Sequence, residues 1–555
     1  MGWEVVAVRT WGGSGAGAAI RRAQAVSAHA RRTGCGVDEA TEVVARPWSR
    51  RRFLWGAGAA AVTIPVATAA PVAAAPVPRS ADRGRVVIVG AGIAGLGCAY
   101  RLWRRYGIRA EVYEYNTVPG GRIRTLRGYF DDGQIAEEHA EFINPEHTAT
   151  LQLASNFGFR LDNCDRYPPG THPLRETMRF GGRPWSQTAL NRDWHEWGWQ
   201  LFHRAAFSVA PWPQLYNHHN PGGLRFDRMS VTEWIDRHVP GGVASDFGAL
   251  CVAAVLDEFG GPADEQSALN LVYLLGQDSS TRSGAQPHST PQLGGGDEKW
   301  HVHGGNDQLI TGLLDRLPGG VLHLGQKLAA VRPAGTGYVC TFECGADRRD
   351  VRADHVVLAM PFTTLRSVDL GRVAISPLHR RAIETEPLGT NSKFFLQFGS
   401  RVWNAEHTTA NSYCGGLVQG GWDATVYQPG KPGILAALPG GEVGADWGPR
   451  YRLSGYRGRP PEAMVRAYLG GFDALFPGVS RAYNGRAYYV WSPGDPHILG
   501  AYSYFKPGQY TGFNGVQGQQ EGNLHFAGEQ TSMNFQGYIE GGLRSGYRCA
   551  TEIGS

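Results

Sequence analysis

The chain has 555 residues, 42% of them hydrophobic and 19% charged, with 77 Gly, 33 Pro and 16 Trp. At roughly 100–200 residues per domain this is two or three domains with ample core, which excludes global disorder, a disulfide miniprotein and, without a Gly-X-Y period, a collagen. The formal net charge is +5, but residues 1–69 alone carry nine Arg against Glu4, Asp38, Glu39 and Glu42, so the remainder is near neutral and offers no basic stripe for a nucleic-acid partner.

Residues 49–55 read Ser-Arg-Arg-Arg-Phe-Leu-Trp, and an Ala-rich apolar run broken by Pro65, Pro71 and Pro76 follows. A charged stretch, an apolar stretch and small residues for cleavage (Ala67-Thr68-Ala69, or Val72-Ala73-Ala74) are the parts of a signal peptide. The segment resembles a twin-arginine (Tat) export signal and departs from it at Trp55. The prolines argue against a spanning helix. Residues 1–75 are therefore expected to be a leader with an N-terminal extension, with the Tat machinery as a partner and an exported, periplasmic or extracellular, location. Of eight Cys, Cys35 precedes the cut, and the odd remainder favours buried free thiols.

The stretch Arg85-Val-Val-Ile-Val-Gly90-Ala-Gly92-Ile-Ala-Gly95 is an apolar strand running into G-x-G-x-x-G. An amphipathic helix over 96–106 and a second strand ending in Glu114 follow. Gly90 makes the tight turn, Gly92 admits a pyrophosphate to the backbone, Gly95 lets helix pack on strand, and Glu114 accepts from ribose hydroxyls. An acid in place of a basic patch disfavours NADP. Next comes Gly120-Gly121-Arg122-Ile-Arg124-Thr125, a loop able to wrap a pyrophosphate with amides and one guanidinium. Here the chain resembles the flavin amine oxidase family, whose GG-R-x-x-T motif binds FAD.

The resemblance assigns the rest in chain order. In residues 134–147 the family's strand and loop edge the substrate cavity, and snake-venom-type L-amino-acid oxidases place there an Arg that grips the substrate carboxylate. Phe142 stands there instead, with Glu141 beside it, which suits an amine; for an amino-acid substrate Arg160, Arg166 or Arg179 would be the alternative cation. Helices are expected over 246–256 and 264–275, and a mobile loop over 278–297. His301 and His303 sit in Trp-His-Val-His-Gly-Gly, a spacing read as structural, and no metal is expected. Leu328 falls in the strand that packs along the adenine. Pro387-Leu-Gly-Thr-Asn-Ser-Lys393 matches the stretch carrying the family's active-site lysine, which serves reaction with O₂, and the chain has only five lysines. Trp491 is a candidate for the cavity wall. Tyr502 and Tyr538 match the two rings that flank the substrate nitrogen. Ala501 stands where mitochondrial monoamine oxidases attach FAD through Cys, so the flavin is expected to be non-covalent. Phe526-Ala527-Gly528-Glu529 and Gly537-Tyr538-Ile-Glu540-Gly541-Gly542 resemble the family's closing signature, with Gly528 and Glu529 at the FAD and Gly542 in place of Ala.

The resemblance covers residues 83–555. It implies an α/β fold: a Rossmann-like FAD-binding domain of the glutathione-reductase type (83–160, 300–380 and 497–555), interleaved with an α+β substrate-binding domain (161–299 and 381–496). It also implies oxidation of an amine to an imine, with hydrogen peroxide formed from O₂. The competing readings are an L-amino-acid oxidase on the same fold, a desaturase or porphyrinogen-type oxidase, and a flavin-free binding protein of the Rab GDP-dissociation-inhibitor kind. The partners expected are a small amine or amino acid and O₂; a homodimer stays open.

Overall fold

The computed structural model describes residues 16–45, 84–164, 175–276, 298–406 and 408–555. The twin-arginine segment with both cleavage candidates, Arg166 and the loop 278–297 lie outside the described residues.

The β-branched run Val86–Val89 is buried on both faces, as a strand in a covered parallel sheet must be. It is the middle strand of five, in the order Leu524–Phe526, His355–Leu358, Val86–Val89, Ala110–Tyr113, Leu322–His323, and every pairing is parallel. Segments from the front, middle and end of the chain thus build one sheet. Gly90 turns the chain out of it with φ 107°, where a side chain would collide with Ala359 O. The helix expected over 96–106 spans Ile93–Arg101 and continues as a π turn, Leu102–Tyr106, closed by Gly107 in the left-handed region. It starts earlier because extended Gly92 is its N-cap. The last helix, Ile539–Gly554, crosses it closely: a side chain at Gly546 would strike Ala94 O, and one at Gly542 would come within 2.8 Å of Ile93. The second contact gives a local reason for Gly rather than Ala at 542.

A second, mixed sheet of eight strands draws on residues 175–185 and 393–490. Its strand Lys393–Phe398 is wholly buried. Beside it lies a helical lobe. The helix Asp246–Phe259 is capped by Ser245 and stopped by Gly260. The helix expected from 264 begins at Ala268, because Ser267 caps it by accepting from Leu269 N. The cysteines are free thiols, six of them buried.

Residues 16–45, expected as part of a leader extension, form the helices Ala16–Thr33 and Val37–Ala45 against this lobe. Ala19, Ile20, Ala23, Val26 and Ala30 are buried, at the spacing of one helix face. Polar contacts fix the seat: Gln24 Nε2 donates to Leu275 O (3.2 Å), Gln187 Nε2 to Ala19 O (3.0 Å) and Asn191 Nδ2 to Thr41 Oγ1 (3.1 Å). Ser27 Oγ pairs with His195 Nδ1 at 3.0 Å, and Arg31 lies 4.0 Å over the Trp199 ring. Burying a side chain such as Ile20 is worth about 1.5–3 kcal/mol. A chain starting at residue 84 is accordingly expected to melt several °C below the full chain in calorimetry. Equal melting temperatures would mean that the hairpin is a passenger.

Candidate functional site

At the carboxyl end of the parallel sheet opens a cavity of about 1430 Å³, its mouth included. Its lining draws on the turns that follow the parallel strands, on the second sheet and on the helical lobe. Gly92, Gly120, Arg122, Gly528 and Glu529 line one part, and the N-terminus of the last helix faces it through Ile539 and Gly542. A Cβ built on Gly92 meets nothing within 4 Å, so its backbone borders open space. Gly121, φ 57°, faces Gly92 across the same turn. Gly90, Gly95, Glu114 and Leu328 do not line the cavity. A Cβ on Gly95 would strike Gly90 O. Glu114 accepts from Ala91 N and Asn116 N, both at 2.7 Å, and burial, partly offset by those bonds, raises its carboxyl above the usual range. The Leu328 side chain is buried in the core, on a strand residue paired with Phe342.

Glu529 is the hub of this wall. It accepts from Arg122 Nη1 (2.9 Å), Ser503 N (3.2 Å), Ser503 Oγ (2.6 Å) and Gly537 N (2.8 Å). Arg122 Nη1 also donates to Ala501 O at 2.6 Å. Backbone amides, a guanidinium and a helix N-terminus around an open cleft form a donor set for a pyrophosphate and a flavin, so the residues present fit FAD.

Lys393 opens its buried strand into the cavity. Its Nζ donates to Glu141 Oε2 (2.7 Å) and Glu137 O (3.2 Å). Glu141 Oε1 accepts from Trp422 Nε1 at 3.0 Å. Phe142 lines the cavity beside Trp422, edge to face at 6.1 Å. Trp422 was missed in the sequence, where it belongs to no motif. Trp491, expected as a wall candidate, is not in the lining; its ring sits where a side chain on Gly448 or Gly494 would be. His301 Nε2 pairs with Glu137 at 2.8 Å in the core, and no metal-holding cluster occurs among the described residues.

Tyr502 and Tyr538 both line the cavity. Tyr502 OH donates to Asp257 O (2.8 Å) and Tyr538 OH to Glu258 Oε1 (2.5 Å). Burial, then the nearby carboxylates led by Asp257, push the Tyr502 phenol well above its ordinary range, so that ring stays a neutral donor. Asp257, Glu258 and Glu298 line the same space. Burial also holds His139 of the cavity wall down at about 3, with Asp495 opposing and Lys393 and Arg122 assisting.

His147, packed 5.0 Å from the Tyr538 ring, is 1% exposed and accepts from Asn144 N through Nδ1 (3.1 Å). Burial lowers it from 6.5 to about 4, against the pull of Glu540. Below pH 6.5 the unfolded chain takes up a proton that the fold refuses. The stabilisation is thus complete above 6.5 and is lost as pH falls toward about 4. The melting temperature is expected to fall across that window, and His147→Asn to flatten the slope.

A family model described as flavin containing amine oxidoreductase matches residues 93–554. Flavin-containing amine oxidase B of Canis lupus familiaris is 25% identical over 491 residues, covering 84% of this chain and 85% of the relative. The Sus scrofa protein of that name is 26% identical over 501 residues, with the same coverage. Among solved structures, cyclohexylamine oxidase from Brevibacterium oxydans superposes with a TM-score of 0.70 at 21% identity, covering 85% of this chain and 98% of that one. Putrescine oxidase bound to putrescine gives 0.67 at 19%, again over 85% and 98%. The two structural likenesses are of fold.

Proposed function

The chain belongs to the flavin containing amine oxidoreductase family, an oxidoreductase acting on amines with FAD as cofactor, and on that premise we propose that it is an oxidase of amines rather than of α-amino acids. Held against Gly92, Arg122 and Glu529, FAD would supply an acceptor for the hydride of the amine C–H and a route for its two electrons to O₂, so that the products would be an imine, hydrolysed by water to a carbonyl compound and ammonia or amine, and hydrogen peroxide.

The observation that carries the reading is the charge of the wall. Both Arg and Lys side chains of the described lining are already matched: Arg122 by Glu529 at 2.9 Å and Lys393 by Glu141 at 2.7 Å. Asp257, Glu258 and Glu298 line the same space. Such a cavity draws in an ammonium and repels a carboxylate. Tyr502 and Tyr538, held by Asp257 O and Glu258, present ring faces suited to the arriving cation and then to the neutral amine that loses hydride. Lys393 supplies a buried ammonium where negative charge develops as O₂ takes its electrons. Ala501 carries no thiol for a covalent link, so the flavin is expected in the supernatant after acid precipitation. Export through the twin-arginine segment is part of the same proposal.

The experiment is an anaerobic bleaching screen of the holoenzyme with amines and α-amino acids side by side. Bleaching by amines supports the reading; bleaching by α-amino acids alone overturns it.

A further inference from the structure

Glu141 was expected to meet substrate, but both of its oxygens are engaged inside the protein. One takes the Lys393 ammonium at 2.7 Å, the other the Trp422 indole N–H at 3.0 Å. The Glu141 side chain is 2% exposed and that of Lys393 7%. The backbone carries the same constraint: Glu141 O accepts from Asn306 Nδ2 at 2.6 Å. The Trp422 ring closes the group from the side, 5.1 Å from Nζ. A substrate ammonium could reach this carboxylate only by displacing Lys393.

We propose that Glu141 is a positioning residue: with Trp422 it fixes the place of the Lys393 ammonium in the cavity wall and cancels its charge there. The proposal rests on the reading of Lys393 as the group that serves O₂. Lysine is a compact charge on a flexible stem with three donors, and the stem admits several orientations of the ammonium. A carboxylate clamped by an indole selects one of them. It also sets the net charge that the pair presents to the cofactor, which a lone lysine would leave at +1.

The test has two arms. In holoenzyme, Glu141→Gln removes a negative charge beside a retained ammonium. The flavin midpoint potential is expected to move positive, and reoxidation by O₂ to slow by about 10-fold as the ammonium loses its fixed place. The half-saturating amine concentration in anaerobic reduction should stay within about twofold, and Glu141→Asp should recover part of the potential shift. In FAD-free protein, Lys393→Met strands a buried carboxylate and should lower the melting temperature, and adding Glu141→Gln should restore much of the loss. An unmoved potential with a raised half-saturating amine concentration would make Glu141 a substrate ligand and overturn the proposal. So would additive melting shifts. If Lys393→Met reoxidises like the parent, the reading of Lys393 fails, while non-additive melting shifts would still support the clamp.

Discussion

Lys393→Met is expected to split turnover into its two halves. Methionine keeps the length and apolar stem of the side chain and removes the ammonium, so the walls that meet the amine keep their shape. Anaerobic reduction by an amine should change only a few-fold. Reoxidation by O₂ should slow by about 10²–10³, the usual cost of deleting one preorganised electrostatic group from a water-excluded site. The size follows from burial: Nζ sits with Glu141 and Glu137 O in a side-chain environment 7% exposed, where water cannot replace the lost charge. The substitution also leaves Glu141 without its partner, a change that costs about 3–5 kcal/mol when a buried pair is broken. Stopped-flow traces of each half-reaction decide the matter. Equal reoxidation rates in variant and parent would remove Lys393 from the chemistry.

What was legible in the sequence followed the range of the interactions. The strand, glycine turn and helix around Gly90 are fixed by neighbours: β-branched residues for a covered strand, and a turn whose φ of 107° only glycine adopts without strain. That stretch reads correctly from the chain alone, and Lys393, Tyr502 and Tyr538, singled out through motifs resembling those of a known family, line the cavity. The partners of those residues are another matter. Glu141 and Lys393 are 252 positions apart, and which carboxylate meets the lysine depends on how the two sheets dock. The same holds for Trp422 against Trp491: both stand among 16 tryptophans, and only the fold tells which indole faces the cavity. Helix starts shifted for a smaller reason, since Ser267 and Gly92 outrank the hydrophobic period as caps. The hairpin at residues 16–45 stayed hidden because an Ala- and Arg-rich helix reads as a leader until a groove is found for its apolar face.

Glu529→Ala is expected to abolish retention of FAD. The carboxylate joins three pieces of chain that no other described side chain links: Arg122, the Ser503 segment and the turn at Gly537. Hydrogen bonds to a charged group are worth about 1.5–3 kcal/mol each. Losing the equivalent of two should weaken FAD binding by about 10²–10⁴-fold, at 1.4 kcal/mol per tenfold. The purified variant should then be nearly colourless, and titration of FAD-free protein should report the shift directly. Glu529→Gln keeps the shape and some of the acceptor capacity, and should fall between. A variant that stays yellow at full occupancy would show that Glu529 serves the fold alone. The consequence reaches beyond the cofactor, because Ser503 follows Tyr502 and Gly537 precedes Tyr538 in the chain. One carboxylate thus sets both the backbone that bears the phenol rings and the Arg122 guanidinium of the cavity wall. A variant refilled with excess FAD should therefore still be slow with amines, since the two rings have lost the tether that fixes them in the cavity wall.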